Sequence, residues 1–400
     1  MEDHLQNLYE VLSKVEGYVY PNEIELNWSI LIVLYPYITG LVAGAFILAS
    51  LERILKLKIL KPTYGLALLT ALSFMLVATM PLISHLGKPM RAYEIMITPH
   101  LSSAMAIFGF VYLWYLMVVL LLEIWFDYRR DLVIWAGETT GFKRFIYRTL
   151  SLWTTDISPK AVALDNQLGY IVTVIGVPSA FLLHGYVGFI FGSIKANPWW
   201  STVLMPVIFL FSAMVSGIAL VMLIYILLNK IRRLSIDMAC LDMIAKYLFY
   251  FLIIDFALEG LDQIHRIYEA EESFEALHNL VFGKLFYTLF IFQGLLGTVV
   301  PLLTLATMQF YKPKEQIRKT IYLLVAGLIL VGIFFMRWNV VIGGQLFSKS
   351  FYGYTSFKIG LIGAEGYLMA AIWLIVPFLI LTFLLWLLPP WKKIEVDHEL

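Results

Sequence analysis

The chain predicts an all-α, polytopic membrane fold, and three observations predict it. Only 14% of its 400 residues are charged, 60% are hydrophobic and 16% are aromatic. A water-soluble chain carries about 25% charged residues. Uncharged apolar runs of more than about twenty residues recur, long enough for a hydrocarbon core of about 30 Å. Lysine and arginine gather in every second connection between these runs, the asymmetry expected of membrane helices that alternate in direction. Barrel strands would instead show short segments of alternating polarity.

Nine spans follow in order: Trp28–Leu51, Pro62–Ser84, Leu101–Leu122, Asn166–Ile194, Trp199–Asn229, Met243–Asp262, Leu285–Met308, Thr320–Ile342 and Gly366–Trp391. The sixth carries Lys246, Asp255 and Glu259 and is the least apolar. Loop charge decides in its favour. The basic connections are Arg53–Lys61, Arg129–Lys160, Lys230–Lys246 and Lys312–Lys319, and Lys392 and Lys393 follow the last span. With nine spans all of these fall on one side; with eight they do not. The expected topology puts the N-terminus outside and the C-terminus in the cytoplasm. Residues 1–27 are acidic, have no apolar core and read as an external segment rather than a cleavable signal. The Asp127–Lys160 connection mixes Trp135, Phe142, Phe145 and Trp153 with Arg and Lys, and reads as an interfacial amphipathic segment or a docking surface for a cytoplasmic subunit.

Ionisable groups inside spans are costly, ~2.5–3.5 kcal/mol at mid-helix on insertion scales, so they carry the functional signal. At 1.5 Å per residue, Asp255, Glu259, Arg337 and His184 sit roughly 18, 24, 25 and 27 Å above the cytoplasmic start of their spans. Tyr35 and Gln293 lie in the outer halves of inward-running spans, and Asn339 follows Arg337 closely. Asp255 and Glu259 share a helix face. With Arg337 at their depth they suggest a proton path or, equally, a structural ion-pair network; they are the first candidates for a partner of Arg337. Glu52 and Glu123 read as interfacial. The loop Ser84–Ser103 places His85, Lys88, Arg91 and Tyr93 outside, where cations call for an anionic ligand, a lipid headgroup or an acidic partner.

Several chemistries are excluded. Cys240 is the one cysteine, so neither a disulfide nor a Cys-ligated iron–sulfur cluster forms within the chain. The other histidines, His4, His85, His100, His265, His278 and His398, lie in loops, termini or span ends, so a four-histidine dihaem core is excluded and a haem ligand pair is not expected. No metal site is expected. A net charge of +1 gives no sign of a nucleic-acid partner.

"YPYITGLVAGAFILASL" (Tyr35–Leu51), "HLGKPMRAY" (His85–Tyr93), "LHGYVGFIFGSIKANPWWSTVLMPVIFLFSAMVSGIAL" (Leu183–Leu220) and "MRWNVVIGGQLFSKS" (Met336–Ser350) resemble the NrfD/PsrC family, the membrane subunits of polysulfide-reductase-like respiratory complexes. The last two segments resemble most the DsrP/HmeB branch, the quinone-interacting subunit of the complex linked to dissimilatory sulfite reduction. In "HLGKPMRAY", His85 replaces the family's usual acid and Lys88 its usual arginine. The resemblance covers Trp28 to Ser350. It implies two four-helix bundles: 28–194 on the quinone side and 195–342 as the second. Residues 343–400 add an external loop, a ninth helix and a cytoplasmic tail. It further implies a bound menaquinone and no redox centre in the chain. The implied partners are an external ferredoxin-like iron–sulfur subunit, a multihaem cytochrome c, a haem b membrane subunit and a cytoplasmic iron–sulfur subunit.

The expectation is therefore a lipid-embedded, quinone-binding subunit in the cell membrane, not catalytic alone, exchanging electrons between menaquinone and an external iron–sulfur protein and handling protons. His184 is the expected proton-exchanging residue, suited by an ordinary pKa near neutrality. Tyr35, Tyr93, His85, Lys88 and Arg91 are expected to line the pocket or its mouth. Asp255, Glu259, Arg337, Gln293 and Asn339 are expected to form the polar network of the second bundle. A secondary transporter is the competing class, and a passive anchor that docks partners is a third.

Overall fold

The computed structural model describes residues 26, 28–100, 102–269, 274–348, 353–357 and 360–392. Apart from Leu26, the expected external segment 1–27 lies outside these residues, as does the expected tail from residue 393. Among the described residues the chain is helical, with one isolated β-bridge, Phe347 to Tyr354. Eight helices are long and apolar enough to cross a membrane. They are α1 (Ile30–Ile54), α2 (Lys58–His85), α3 (Ala106–Glu138), α4 (Pro159–Gly192), α5 (Met205–Arg232), α7 (Phe286–Phe310), α8 (Glu315–Gly343) and α9 (Tyr367–Leu387). Between α5 and α7 runs α6 (Met238–Glu269), continuous over 32 residues.

The charged α6 extends the full height of its neighbours. Near its start, Asp242 accepts from Tyr322 (2.9 Å) and pairs with Arg318, both at the beginning of α8. Near its end, Arg266 donates to the carbonyls of Pro198 (2.6 Å) and Trp199 (2.8 Å), just before α5. Consecutive long helices thus alternate in direction. One end gathers Arg53, Arg129, Arg232 and Arg318 and is called here the basic end; the other is the far end.

Two glycine crossings set the packing. Gly44 of α1 and Gly217 of α5 face each other so closely that a Cβ on either would overlap the other's backbone. Gly297 of α7 and Gly332 of α8 repeat the arrangement. Without a hydrophobic drive between helices in lipid, close backbone approach of this kind supplies the association. α1 is consequently central and buried along nearly its whole length, packed on α2, α4, α5, α8 and α9. α9 joins the α1–α2 side. Phe378 meets Phe74 edge-on at 5.2 Å, and Trp373 donates to Ser84 Oγ (2.9 Å).

Among the differences from the sequence expectation, three have a visible cause. α3 does not stop at Leu122 but continues to Glu138, because Tyr128, Leu132 and Trp135 keep a buried stripe and Arg129 grips Asp165 (2.6 Å). α4 starts at Pro159 rather than Asn166: Ser158 Oγ accepts from the Ala161 N–H (3.3 Å), and Pro159 occupies the first turn. α2 is interrupted after Met75 and resumes at Met80 ahead of Pro81. The Met75 carbonyl accepts from the Ala78 N–H (3.2 Å) and from the Tyr112 hydroxyl. Part of the Asp127–Lys160 connection forms a short helix, Gly141–Leu150, that packs on α3 and exposes Phe142 and Phe145.

Candidate functional site

α1, α4, α5 and α8 meet at a buried polar centre. His184 of α4 and Arg337 of α8 are both 0% exposed. Arg337 Nη2 donates to His184 Nε2 (3.0 Å), to Ser212 Oγ (2.7 Å) and to the Phe209 carbonyl (3.3 Å) of α5. Its guanidinium carbon lies 4.0 Å from the Phe209 ring centroid, and Nη1 donates to Met336 Sδ (3.0 Å). Nε has no partner. A guanidinium only donates, so His184 Nε2 must accept. The ring is therefore neutral, with its proton on Nδ1, which faces Thr39 Oγ1 at 3.3 Å. The Thr39 hydroxyl in turn donates to the Tyr35 carbonyl (3.0 Å). Gly40 makes the space: a Cβ there would press on the imidazole at 3.2 Å.

This corrects the expected pairing of Arg337. It forms no ion pair with Asp255 or Glu259, although both lie within its electrostatic reach. The reason is helical phase. Arg337 and Asn339 are two residues apart, about 200° around the axis, so Arg337 turns to α4 and α5 while Asn339 turns to α7. Asn339 Nδ2 donates to Gln293 Oε1 (2.8 Å), and Gln293 Nε2 donates to Glu259 Oε1 (3.1 Å). The sequence-derived network thus divides. Glu259, Gln293 and Asn339 form a relay across α6, α7 and α8, whereas Arg337 binds the residue assigned to the other bundle. Asp255 is buried with Oδ1 unpartnered. Asp262 is taken by Arg266 (2.9 Å).

The expected pocket residues are dispersed. Tyr93 is 60% exposed, Lys88 is exposed, and Arg91 is paired with Glu94 at 2.7 and 2.8 Å. His85 meets Glu365 (3.2 Å) and Ser29 (3.5 Å), beside a pocket of about 400 Å³ between the start of α1 and the loop preceding α9. None of these four shares a hydrogen bond or ion pair with His184. Tyr35 does sit near it: Tyr35 and Thr39 are one turn apart on one face of α1. The Tyr35 hydroxyl is buried without a partner, and its ring stands edge-on to Phe108 at 5.2 Å, with Tyr112 and Tyr186 close by. Tyr186 also lines an open, almost wholly apolar groove of about 570 Å³ with Pro178, Phe181, Leu182, Gly185, Phe189 and Pro206.

A second buried charge cluster lies at the basic end, and the sequence reading missed it. Glu123, expected at the interface, is 0% exposed and enclosed by its neighbouring helices. Its Oε1 accepts from Thr173 (2.8 Å) and Tyr64 (3.1 Å) and lies 3.9 Å from Arg53 Nη1. Arg53 donates to Tyr64 (2.7 Å) and to the Asn166 carbonyl (3.3 Å). Thr39, Phe209 and Ser212 were also missed at the far end, since nothing in their local sequence marks them off from span-forming residues.

These features define a multi-pass helical membrane protein with buried ionisable groups and, among the described residues, no cluster able to hold a metal ion. Residues 20–349 match the family described as polysulphide reductase, NrfD, and the chain belongs to that family. It is a multi-pass protein of the cell membrane. It is 27% identical over 323 residues to a selenate reductase subunit of Mesobacillus selenatarsenatis, covering 79% of this chain and 73% of that one. It is 27% identical over 317 residues to a putative dimethyl sulfoxide reductase membrane subunit of Halobacterium salinarum (77% and 68% covered). To protein NrfD of Escherichia coli it is 24% identical over 343 residues (80% and 96% covered).

Proposed function

We propose that the chain is the quinone-interacting membrane subunit of a respiratory redox complex, passing electrons between membrane menaquinone and an external iron–sulfur subunit. The complex serves reduction of sulfite or another sulfur compound, and the subunit also translocates protons. α1 to α9 all cross, with the N-terminus outside and the basic end in the cytoplasm. α1–α4 form the quinone-side bundle and α5–α8 the second. Two relatives named as subunits of reductases support a place in a redox complex.

The observation that carries the quinone reading is the orphaned Tyr35 hydroxyl. Burying a hydroxyl without a partner costs about 1–3 kcal/mol, and here it adjoins an aromatic wall that continues into a membrane-facing apolar groove. A quinone fits this arrangement: Tyr35 supplies a donor for a ring carbonyl, and the groove takes an isoprenoid tail. When bound, the quinone supplies the electron and proton chemistry. His184 lies one helical turn deeper. Both its ring nitrogens are engaged by Thr39 and Arg337, so it handles protons from behind the ring site.

The test is binding of a fluorescent hydroxyquinoline N-oxide, a quinone analogue, to the purified chain, together with quinone extraction. Tyr35→Phe should weaken binding about 2- to 10-fold, the worth of one hydrogen bond. His184→Ala should abolish quinol-linked electron transfer in the assembled complex while assembly persists. A chain that binds neither quinone nor analogue sinks the reading, and wild-type turnover in His184→Ala removes that residue from it.

A further inference from the structure

The only lone pair of the His184 ring is the one Arg337 occupies. With Nδ1 protonated, the imidazole can gain a proton only at Nε2, and the Arg337 Nη2 hydrogen lies there at 3.0 Å. Proton uptake therefore requires Arg337 to withdraw. It would also place two cations side by side among fully buried groups, which the surroundings strongly oppose.

Arg337 has somewhere to go. Its present partners, Ser212, the Phe209 carbonyl and Met336 Sδ, are neutral and hold no counter-charge against it. The titratable or charged groups facing it are Asp255 and Glu259 from α6, Tyr37 from α1 and His184 from α4; α5 contributes only Phe209 and Ser212. Glu259 is held by Gln293, and Tyr37 donates to the Leu330 carbonyl (3.2 Å). Asp255 Oδ1 is buried and unpartnered, as is Arg337 Nε. The backbone beyond Arg337 passes directly into a π turn, Asn339–Gly343, a geometry frequent at functional sites in helices.

We propose that Arg337 is a positioning residue that couples the two helix groups. When His184 takes up a proton at Nε2, the Arg337–His184 hydrogen bond breaks and the guanidinium re-pairs with Asp255; loss of that proton returns it. The inference rests on the reading of His184 as the proton-handling group of a quinone subunit. The step balances without electron transfer. An O–H bond of the incoming proton donor breaks as an N–H bond forms at Nε2, and Arg337 stays a cation throughout.

The experiment uses the full chain in lipid nanodiscs with its histidines labelled in heavy nitrogen. The His184 signals are assigned by their loss in His184→Ala, and the ring shifts are followed across pH. Removing the neighbouring cation in Arg337→Gln should move proton uptake to higher pH by roughly 1–3 units. Arg337→Lys should restore most of the wild-type midpoint. Asp255→Asn removes the acceptor that Arg337 moves to and should shift uptake to lower pH. That shift should vanish in Arg337→Gln/Asp255→Asn, because His184 is hydrogen-bonded to Arg337 and not to Asp255. If Arg337→Gln fails to fold, Arg337→Lys takes its place in the cycle and should diminish the Asp255→Asn shift. An unmoved midpoint in Arg337→Gln, or an Asp255→Asn shift of equal size in both backgrounds, overturns the coupling. Analogue binding is measured on the same samples. Its absence with an intact cycle removes the quinone reading alone; its presence with no cycle removes the coupling alone.

Discussion

Arg53, partly buried, and Arg337, fully buried, are arginines of one helical assembly, and they are held in opposite ways. Arg53, at the basic end, reaches a carboxylate: Glu123 lies 3.9 Å away, with Tyr64 bonded to both. Arg337, at the far end, touches only neutral acceptors, and its carboxylates stand beyond ion-pair distance. A buried charge with a fixed opposite charge is a clamp, because separating the two leaves an uncompensated ion. A buried charge whose principal acceptor can itself be protonated is held conditionally. The same residue type therefore does structural work in one cluster and is poised to move in the other.

The largest expected effect tests the clamp. Glu123→Ala should destabilise the protein by about 3–5 kcal/mol, since it takes a carboxylate from Arg53 and a buried acceptor from the Thr173 and Tyr64 hydroxyls, and thermal unfolding in detergent would read this. Arg337→Gln should cost less, roughly 1–3 kcal/mol, because every partner it leaves at hydrogen-bond distance is neutral. The order of the two melting shifts is the prediction. If Arg337→Gln lowers the transition as far as Glu123→Ala, Arg337 has a fixed counter-charge after all, and the contrast between the clusters disappears.

The spans were legible because apolar run length and loop charge act over whole segments, which one misplaced boundary does not erase. α6 is the exception: the sidedness of the basic loops argues for it as a span, the structure shows it as a 32-residue helix, and apolarity alone does not select it. The depth of polar residues was legible too: a rise of 1.5 Å per residue brought His184 and Arg337 to one level, and the structure joins them. Rotation about the helix axis was not legible. It decides that Arg337 turns away from the α6 carboxylates while Asn339, two positions on, faces Gln293. Glu123 was hidden for a different reason. The charges at Asp127, Arg129, Arg130 and Asp131 resemble a helix leaving the membrane, yet Tyr128, Leu132 and Trp135 keep the 3.6-residue stripe and carry α3 onward, with Glu123 buried inside. Tyr35 was legible as a candidate, but its missing partner is a fact of packing that no spacing encodes.

The smallest effect concerns Arg91, whose position in the α2–α3 loop calls for an explanation. The structure supplies a local one: Arg91 is bonded through both Nε and Nη2 to Glu94 three residues later. Both groups are solvated, and the hydrogen bond from Arg91 holds the Glu94 carboxyl below its ordinary range. A carboxyl lowered in the folded state contributes stability at pH above its unfolded value, and that contribution is lost as pH falls through the lowered one. Exposed pairs contribute little and are screened by salt. Arg91→Gln should therefore leave the melting transition almost unchanged at neutral pH, with any small difference gone in acid or high salt. Retention of the iron–sulfur subunit proposed above should match wild type in the variant, because Arg91 already has its anion. A variant that melts normally but no longer retains an iron–sulfur partner would make Arg91 a docking residue. The far end would then carry a second cation held conditionally, at the surface rather than in the core.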